Sequence, residues 1–162
     1  MRIVGYVREP ADGSRSAYAQ QEELRRHAAA HGDALVAVCQ DVTSPTGSER
    51  DGYISLLGVV AAGGVDAVLV PGLDTFSADS IVQEIIVWDL RGRGVAVVST
   101  DPADEAVLDP GGGHDPGRLL IRDVLDRVGD HARTVGKAHL DPAPADVDVL
   151  VEIVRADEAE GR

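Results

Sequence analysis

Lysine is nearly absent from this chain: of 15 basic residues, Lys137 alone is lysine and the rest are arginine. Aromatic residues make up 3%, with one Trp and one Phe, so any core must be built from aliphatic side chains. The one cysteine, Cys39, excludes an internal disulfide and a cysteine-based zinc cluster. It ends the apolar run "ALVAVC" and reads as a small buried hydrophobe. No apolar run reaches the roughly 18 residues of a transmembrane helix, and the first residues lack a leader pattern, so a cytoplasmic protein is expected. No glycine fingerprint of the dinucleotide type follows the first strand, which excludes that cofactor site. There is no internal repeat.

What is abundant is acid. The net charge is −13, from 28 Asp and Glu against 15 Lys and Arg. Affinity for a nucleic-acid backbone comes from Lys and Arg neutralising phosphates, so such a surface repels DNA except at a local basic patch. With so much Ala, Gly, Val and Asp, and arginine in place of lysine, a high-GC bacterial genome is expected. A length of 162 residues with 44% hydrophobic content fits one compact domain.

Short apolar runs alternate with helical periods. "RIVGYVR" (Arg2–Arg8), "ALVAVCQD" (Ala34–Asp41), "VDAVLVPG" (Val65–Gly72) and "VAVVST" (Val95–Thr100) read as strands. Residues 17–31 read as a helix capped by Gly32, Tyr53–Gly64 as a second and Ala78–Gly94 as a third. This alternation predicts a parallel sheet covered by helices on both faces, a three-layer α/β/α fold of four to five strands. After Thr100 the turn-rich "DPADEAVLDPGGGHDP" reads as a surface loop. An amphipathic helix then spans Gly117–Lys137, with Leu120, Ile121, Val124, Leu125 and Val128 on its apolar stripe. Residues 1–137 are expected to form the domain, and 138–162 a tail with a Pro-rich linker, a short helix and a net charge of −5 from seven acids and two arginines.

His27 and His31 lie four apart on a helix face, but with no third ligand in view they read as a solvated pair and no metal is expected. "GGGH" (Gly111–His114) does not sit between a strand and a helix, so it reads as a turn. What remains is a set of polar groups near the carboxyl ends of strands, where open parallel sheets place their sites: Arg8, Asp74 and the loop residue Arg50. A purely structural use is open to them, since Arg8 and Asp74 could pair and tie two loops together.

The opening "MRIVGYVR" followed by "QQEELRRHAAAHG" resembles the catalytic domain of the serine recombinases, the resolvase and invertase family. The resemblance continues through "DVTSPTGSERDGYISLL", "GVDAVLVPGLDTFSADS" and "LRGRGVAVVSTDP", in order, over about residues 1–135. It implies a resolvase-like fold and a family chemistry in which a serine hydroxyl attacks a DNA phosphodiester and holds it as phosphoserine. It also implies arginines around the phosphate, because the transition state spreads negative charge over its oxygens. On this resemblance Arg8 matches the family's first-strand arginine, Arg50 its loop arginine and Asp74 its aspartate.

The departures from the family pattern are equally specific. Where the family reads Tyr-x-Arg-x-Ser, this chain reads Tyr6-Val7-Arg8-Glu9-Pro10, so proline stands in the nucleophile's place. The two arginines expected after Asp74 are Thr75 and Ala78, and Glu9 adds a negative charge where a phosphate would sit. Ser14 and Ser16 lie too far along to replace the missing hydroxyl. No recognition helix is expected after Gly117–Lys137, whose Arg118, Arg122, Arg127 and Arg133 are the one place where a duplex is expected to dock, weakly.

The sequence therefore predicts a catalytically inactive recombinase-like domain that serves as a dimerising interaction or regulatory module. It would pair through Gly117–Lys137, as the resemblance implies, with a protein partner possible and with no cofactor and no membrane contact. Two other readings stay open: an active or partner-dependent DNA recombinase, and a small-molecule binder or hydrolase using the pocket near Arg8, Arg50 and Asp74.

Overall fold

A computed structural model describes residues 1–43, 50–109 and 115–140. Four strands, β1 (Arg2–Glu9), β2 (Ala34–Val42), β3 (Ala67–Val70) and β4 (Ala96–Ser99), form one sheet in the order β2-β1-β3-β4. All three pairings are parallel, and each parallel pair needs a crossover, which the intervening helices provide. They are α1 (Ala17–His31), α2 (Asp51–Ala62) and α3 (Ser80–Gly92).

The two faces of the sheet are buried by different helices. Leu24 and Ala28 of α1 pack with Ile3, Val7 and Leu69 on one face. Leu56 and Val60 of α2, with Ile86 and Leu90 of α3, surround Val4, Tyr6 and Val68 on the other. Each fully buried aliphatic side chain contributes about 1.5–3 kcal/mol, and strand β3 is buried along its whole length, as the centre of a three-layer α/β/α domain requires.

Local signals fix most helix ends. The Ser16 hydroxyl accepts from Ala19 N at 3.2 Å, the Glu9 carboxylate accepts from Ala17 N at 2.9 Å, and Gly32 closes α1 with φ 70°. Asp79 caps α3 by accepting from Ile81 N at 2.8 Å. Helix α2 has no cap of its own at Arg50. Instead the buried carboxylate of Asp41, at the end of β2, accepts from Gly52 N at 2.7 Å and Tyr53 N at 3.1 Å. Gly52 permits this approach, since a Cβ there would stand 2.2 Å from the Gln40 carbonyl oxygen.

Several boundaries depart from the sequence reading. Helix α2 starts at Asp51 rather than Tyr53, and β3 pairs over Ala67–Val70 rather than Val65–Gly72. The segment read as a loop after Thr100 holds a short helix, α4 (Glu105–Leu108), and the long helix α5 spans Pro116–Leu140. The "GGGH" turn, the loop at 44–49 and the acidic tail with its short helix lie outside the described residues. Residues Met1–Asp126 form one compact unit and the chain from Arg127 a second.

The root of α5 is bolted to α3. Arg118 and Arg122 both bond the carboxylate of Glu84, at 2.8 Å each, and Glu84 is 2% exposed. Arg118 also donates to the Gln83 side chain at 2.6 Å, and Arg122 to the Val107 carbonyl of α4. Trp88 Nε1 donates to Asp126 at 3.0 Å. Among the described residues no helix is long and apolar enough to cross a membrane.

Candidate functional site

Strand β1 runs on past Gly5, its last residue paired with β3, and delivers Arg8 to the carboxyl end of the sheet. The chain then turns at Pro10, whose carbonyl accepts from Gly13 N at 3.0 Å. Strand β3 ends beside it and leads into a short turn at Leu73–Thr75. Between these two strand ends lies a cleft of about 270 Å³ lined by Arg8, Pro10, Ala11, Arg15, Gln20, Thr43, Asp74 and Thr75. Adjacent parallel strands place their carboxyl-end loops side by side, so the position follows from the topology.

Gln20 sets the local geometry. It is 1% exposed, and its side-chain amide donates to the Arg8 carbonyl at 2.8 Å and the Arg15 carbonyl at 3.0 Å, while its oxygen accepts from Arg8 N at 3.3 Å. The backbone of Arg8 is thus gripped from both sides. Gln20 escaped the sequence reading, although its signal was present: with Ala17, Leu24 and Ala28 it lies on the buried stripe of α1.

The charges of the cleft divide into committed and uncommitted groups. Arg15 donates to Glu23 at 2.7 Å, and Glu23 also accepts from the Thr100 hydroxyl. Arg8 and Asp74 line the same cleft, yet among the described residues neither forms an ion pair, with the other or with any third group. The simple loop-tying pair allowed by the sequence is not formed. Asp74 folds back over Gly72, where a Cβ would come within 2.6 Å of its Oδ1.

Tyr6, Tyr53 and Phe76 form an aromatic cluster that does not line the cleft. Tyr6 stacks on Phe76 with ring centroids 5.7 Å apart and meets Tyr53 edge-on at 5.9 Å. Burial, reinforced by its hydrogen bond to Asp41, pushes the Tyr6 hydroxyl well above the ordinary tyrosine range. Arg50 lies 5.9 Å over the Tyr53 ring and donates to the Phe76 carbonyl, so it braces the aromatic cluster and does not line the cleft.

The remaining sequence candidates are placed as follows. Pro10 and Thr75 line the cleft, whereas Ala78 is exposed ahead of α3 and outside it. Ser16 is the α1 cap, and neither it nor Ser14 reaches the cleft. Glu9 does not line it either, because its carboxylate is spent on α1. Of the four arginines read as a weak DNA-facing set, Arg118 and Arg122 turn inward onto Glu84 with side chains 15% exposed, and Arg133 pairs with Asp130. Arg127 is also engaged. His27 and His31 stack 4.2 Å apart, and among the described residues no three potential ligands converge on a metal position.

The sequence profile described as "Resolvase, N terminal domain" matches residues 3–132. Among solved structures, the N-terminal catalytic domain of TP901-1 integrase is similar at a TM-score of 0.58 and 18% identity, covering 83% of this chain and 98% of that one. A resolvase-family site-specific recombinase from Streptococcus pneumoniae gives 0.56 and 18%, covering 86% and 99%. The catalytic domain of the serine recombinase ISC1926 TnpA gives 0.54 and 22%, covering 80% and 99%. No curated protein matches the sequence.

Proposed function

Because the chain belongs to the resolvase N-terminal-domain family, we propose that it is a member that has lost strand cleavage and persists as a dimerising interaction or regulatory module. The observation that carries this reading is Pro10, which lines the cleft where the resemblance calls for the attacking serine. Proline has no hydroxyl, and covalent catalysis requires one to form the phosphoserine bond.

The surroundings support the same conclusion. Thr75 and Ala78 supply no guanidinium where the family pattern has two, and one preorganised donor to a developing charge is worth ~3 kcal/mol. Arg15 is balanced by Glu23, which leaves Arg8 to face a phosphate with Asp74 beside it. On the helix surface, Arg118 and Arg122 are withdrawn from any duplex by Glu84, and a net charge of −13 opposes approach of a polyanion. Exposed Leu120 and Val124 on α5, with Ile81 and Ile85 on α3, provide apolar surface for a second copy.

Incubation with supercoiled plasmid followed by denaturing electrophoresis and mass spectrometry tests the proposal. The expected result is neither nicked DNA nor a protein–DNA adduct. A phosphoserine adduct would overturn it.

A further inference from the structure

We propose that the cleft between the ends of β1 and β3 binds a small zwitterion, whose carboxylate meets Arg8 and whose ammonium group meets Asp74. The inference starts from an accounting of charge. Of the ionic groups that line the cleft, Arg15 is satisfied by Glu23, while Arg8 and Asp74 have no ionic partner among the described residues. One charge of each sign is left lining one open cleft.

The two groups are also held apart. Gln20 clamps the backbone of Arg8 by two hydrogen bonds and that of Arg15 by a third, and Gly72 makes room for the Asp74 carboxylate to fold back toward its own turn. They do not approach within ion-pair distance, so the cleft stays open between them. A ligand that bridges them satisfies both at once, and the clamped backbone of Arg8 lowers its ordering cost.

Ligands of a single sign fit less well. An anion on Arg8 would meet Asp74 without compensation, and a cation on Asp74 would meet Arg8. The cleft of about 270 Å³ has room for a ligand of amino-acid or short-peptide size. Pro10 and Ala11 add apolar lining suited to a methylene or peptide backbone, and Thr75 lines the same cleft.

The proposal rests on the reading of Pro10 as the end of strand cleavage, and the two fail separately. A plasmid adduct would remove that reading without altering a binding isotherm, and an absent isotherm would not restore cleavage.

The test is titration of the full chain with glycine, diglycine and triglycine, which carry the same two charges at rising separation, followed by amide chemical shifts. Inorganic phosphate and putrescine serve as single-sign probes. One glycine-series member should shift residues 8–11 and 74–75 and bind more tightly than either single-sign probe. Arg8→Gln and Asp74→Asn should each weaken that binding about tenfold, with thermal midpoints unchanged. If no zwitterion binds, or if phosphate binds more tightly and Asp74→Asn strengthens it, the proposal is wrong.

Discussion

The hydroxyl of Tyr6 and Oδ2 of Asp41 lie 2.7 Å apart in the interior, one on β1 and the other at the end of β2. Asp41 thereby joins the edge strand, the aromatic cluster and the first turn of α2 through a single carboxylate. Three donors converge on it: Tyr6 Oη, Gly52 N and Tyr53 N.

Replacing Asp41 by Ala orphans all three donors in a buried setting, whereas Tyr6→Phe removes one donor and leaves the cap on α2. Unsatisfied buried groups cost about 1–3 kcal/mol each and a net hydrogen bond about 1 kcal/mol. Asp41→Ala should therefore lower unfolding free energy by about 3 kcal/mol or more, and Tyr6→Phe by about 1 kcal/mol. Urea denaturation of both variants measures the difference. Equal losses would show that the α2 cap contributes nothing.

Glu84 carries a pH dependence of definite sign. Burial alone raises its carboxyl, but hydrogen bonds from Arg122 and Arg118 outweigh burial and hold it below the ordinary value of 4.5. The folded state therefore binds fewer protons than the unfolded chain in this range. Its stabilisation is present above 4.5 and is lost as the pH falls through the depressed value. Glu84→Gln should cost about 3 kcal/mol at neutral pH by leaving two arginines without their anion. It should also flatten the acid limb of the stability curve. Hydrogen exchange across residues 116–126 should rise in the same variant, because the root of α5 loses its anchor.

Restoring the missing hydroxyl tests whether its loss is the whole departure from the family. Pro10→Ser should remain without cleavage activity on supercoiled DNA, since Thr75 and Ala78 leave the phosphate without two of the family's arginines. Adding Thr75→Arg and Ala78→Arg should be needed before any nick appears. Nicking by the single variant would assign the loss to Pro10 alone.

Self-association is expected through α5 and α3. Leu120 is 65% exposed and Val124 50%, so an aspartate at either position does not disturb the folded monomer. Sedimentation should give twice the mass of a 17.0 kDa chain for the wild type and the monomer mass for Leu120→Asp. A wild type that stays monomeric at high concentration refutes the dimer.

Much of this architecture was legible because its causes are local. Helix α1 was read at its observed bounds, since its strong helix formers and the closing Gly32 lie within one short window. Helix α2 was read two residues late because its cap, Asp41, comes from a neighbouring strand. Strand β3 was read too long because apolar character runs past Val70, where pairing with β4 stops. At the site, Arg8 and Asp74 were found from the rule that parallel strands deliver ligand-facing groups at their carboxyl ends. Arg50 was assigned to the site from its loop position and the family resemblance, and neither could reveal that it would bend onto Tyr53 and Phe76. The inward turn of Arg118 and Arg122 was likewise invisible, because Glu84 stands more than 30 residues away in sequence.

The bond from Trp88 to Asp126 gives the molecule an optical marker at one place only. As the sole tryptophan, Trp88 owns the chain's red-edge absorption and emission, and its indole N–H is tied to the root of α5. Excitation at that edge leaves the three tyrosines dark, so wavelength, lifetime and quenching all report on whether α3 and the first turns of α5 stay joined. Detachment of that root can thus be timed by stopped-flow fluorescence while circular dichroism follows the sheet, with no label added to the protein.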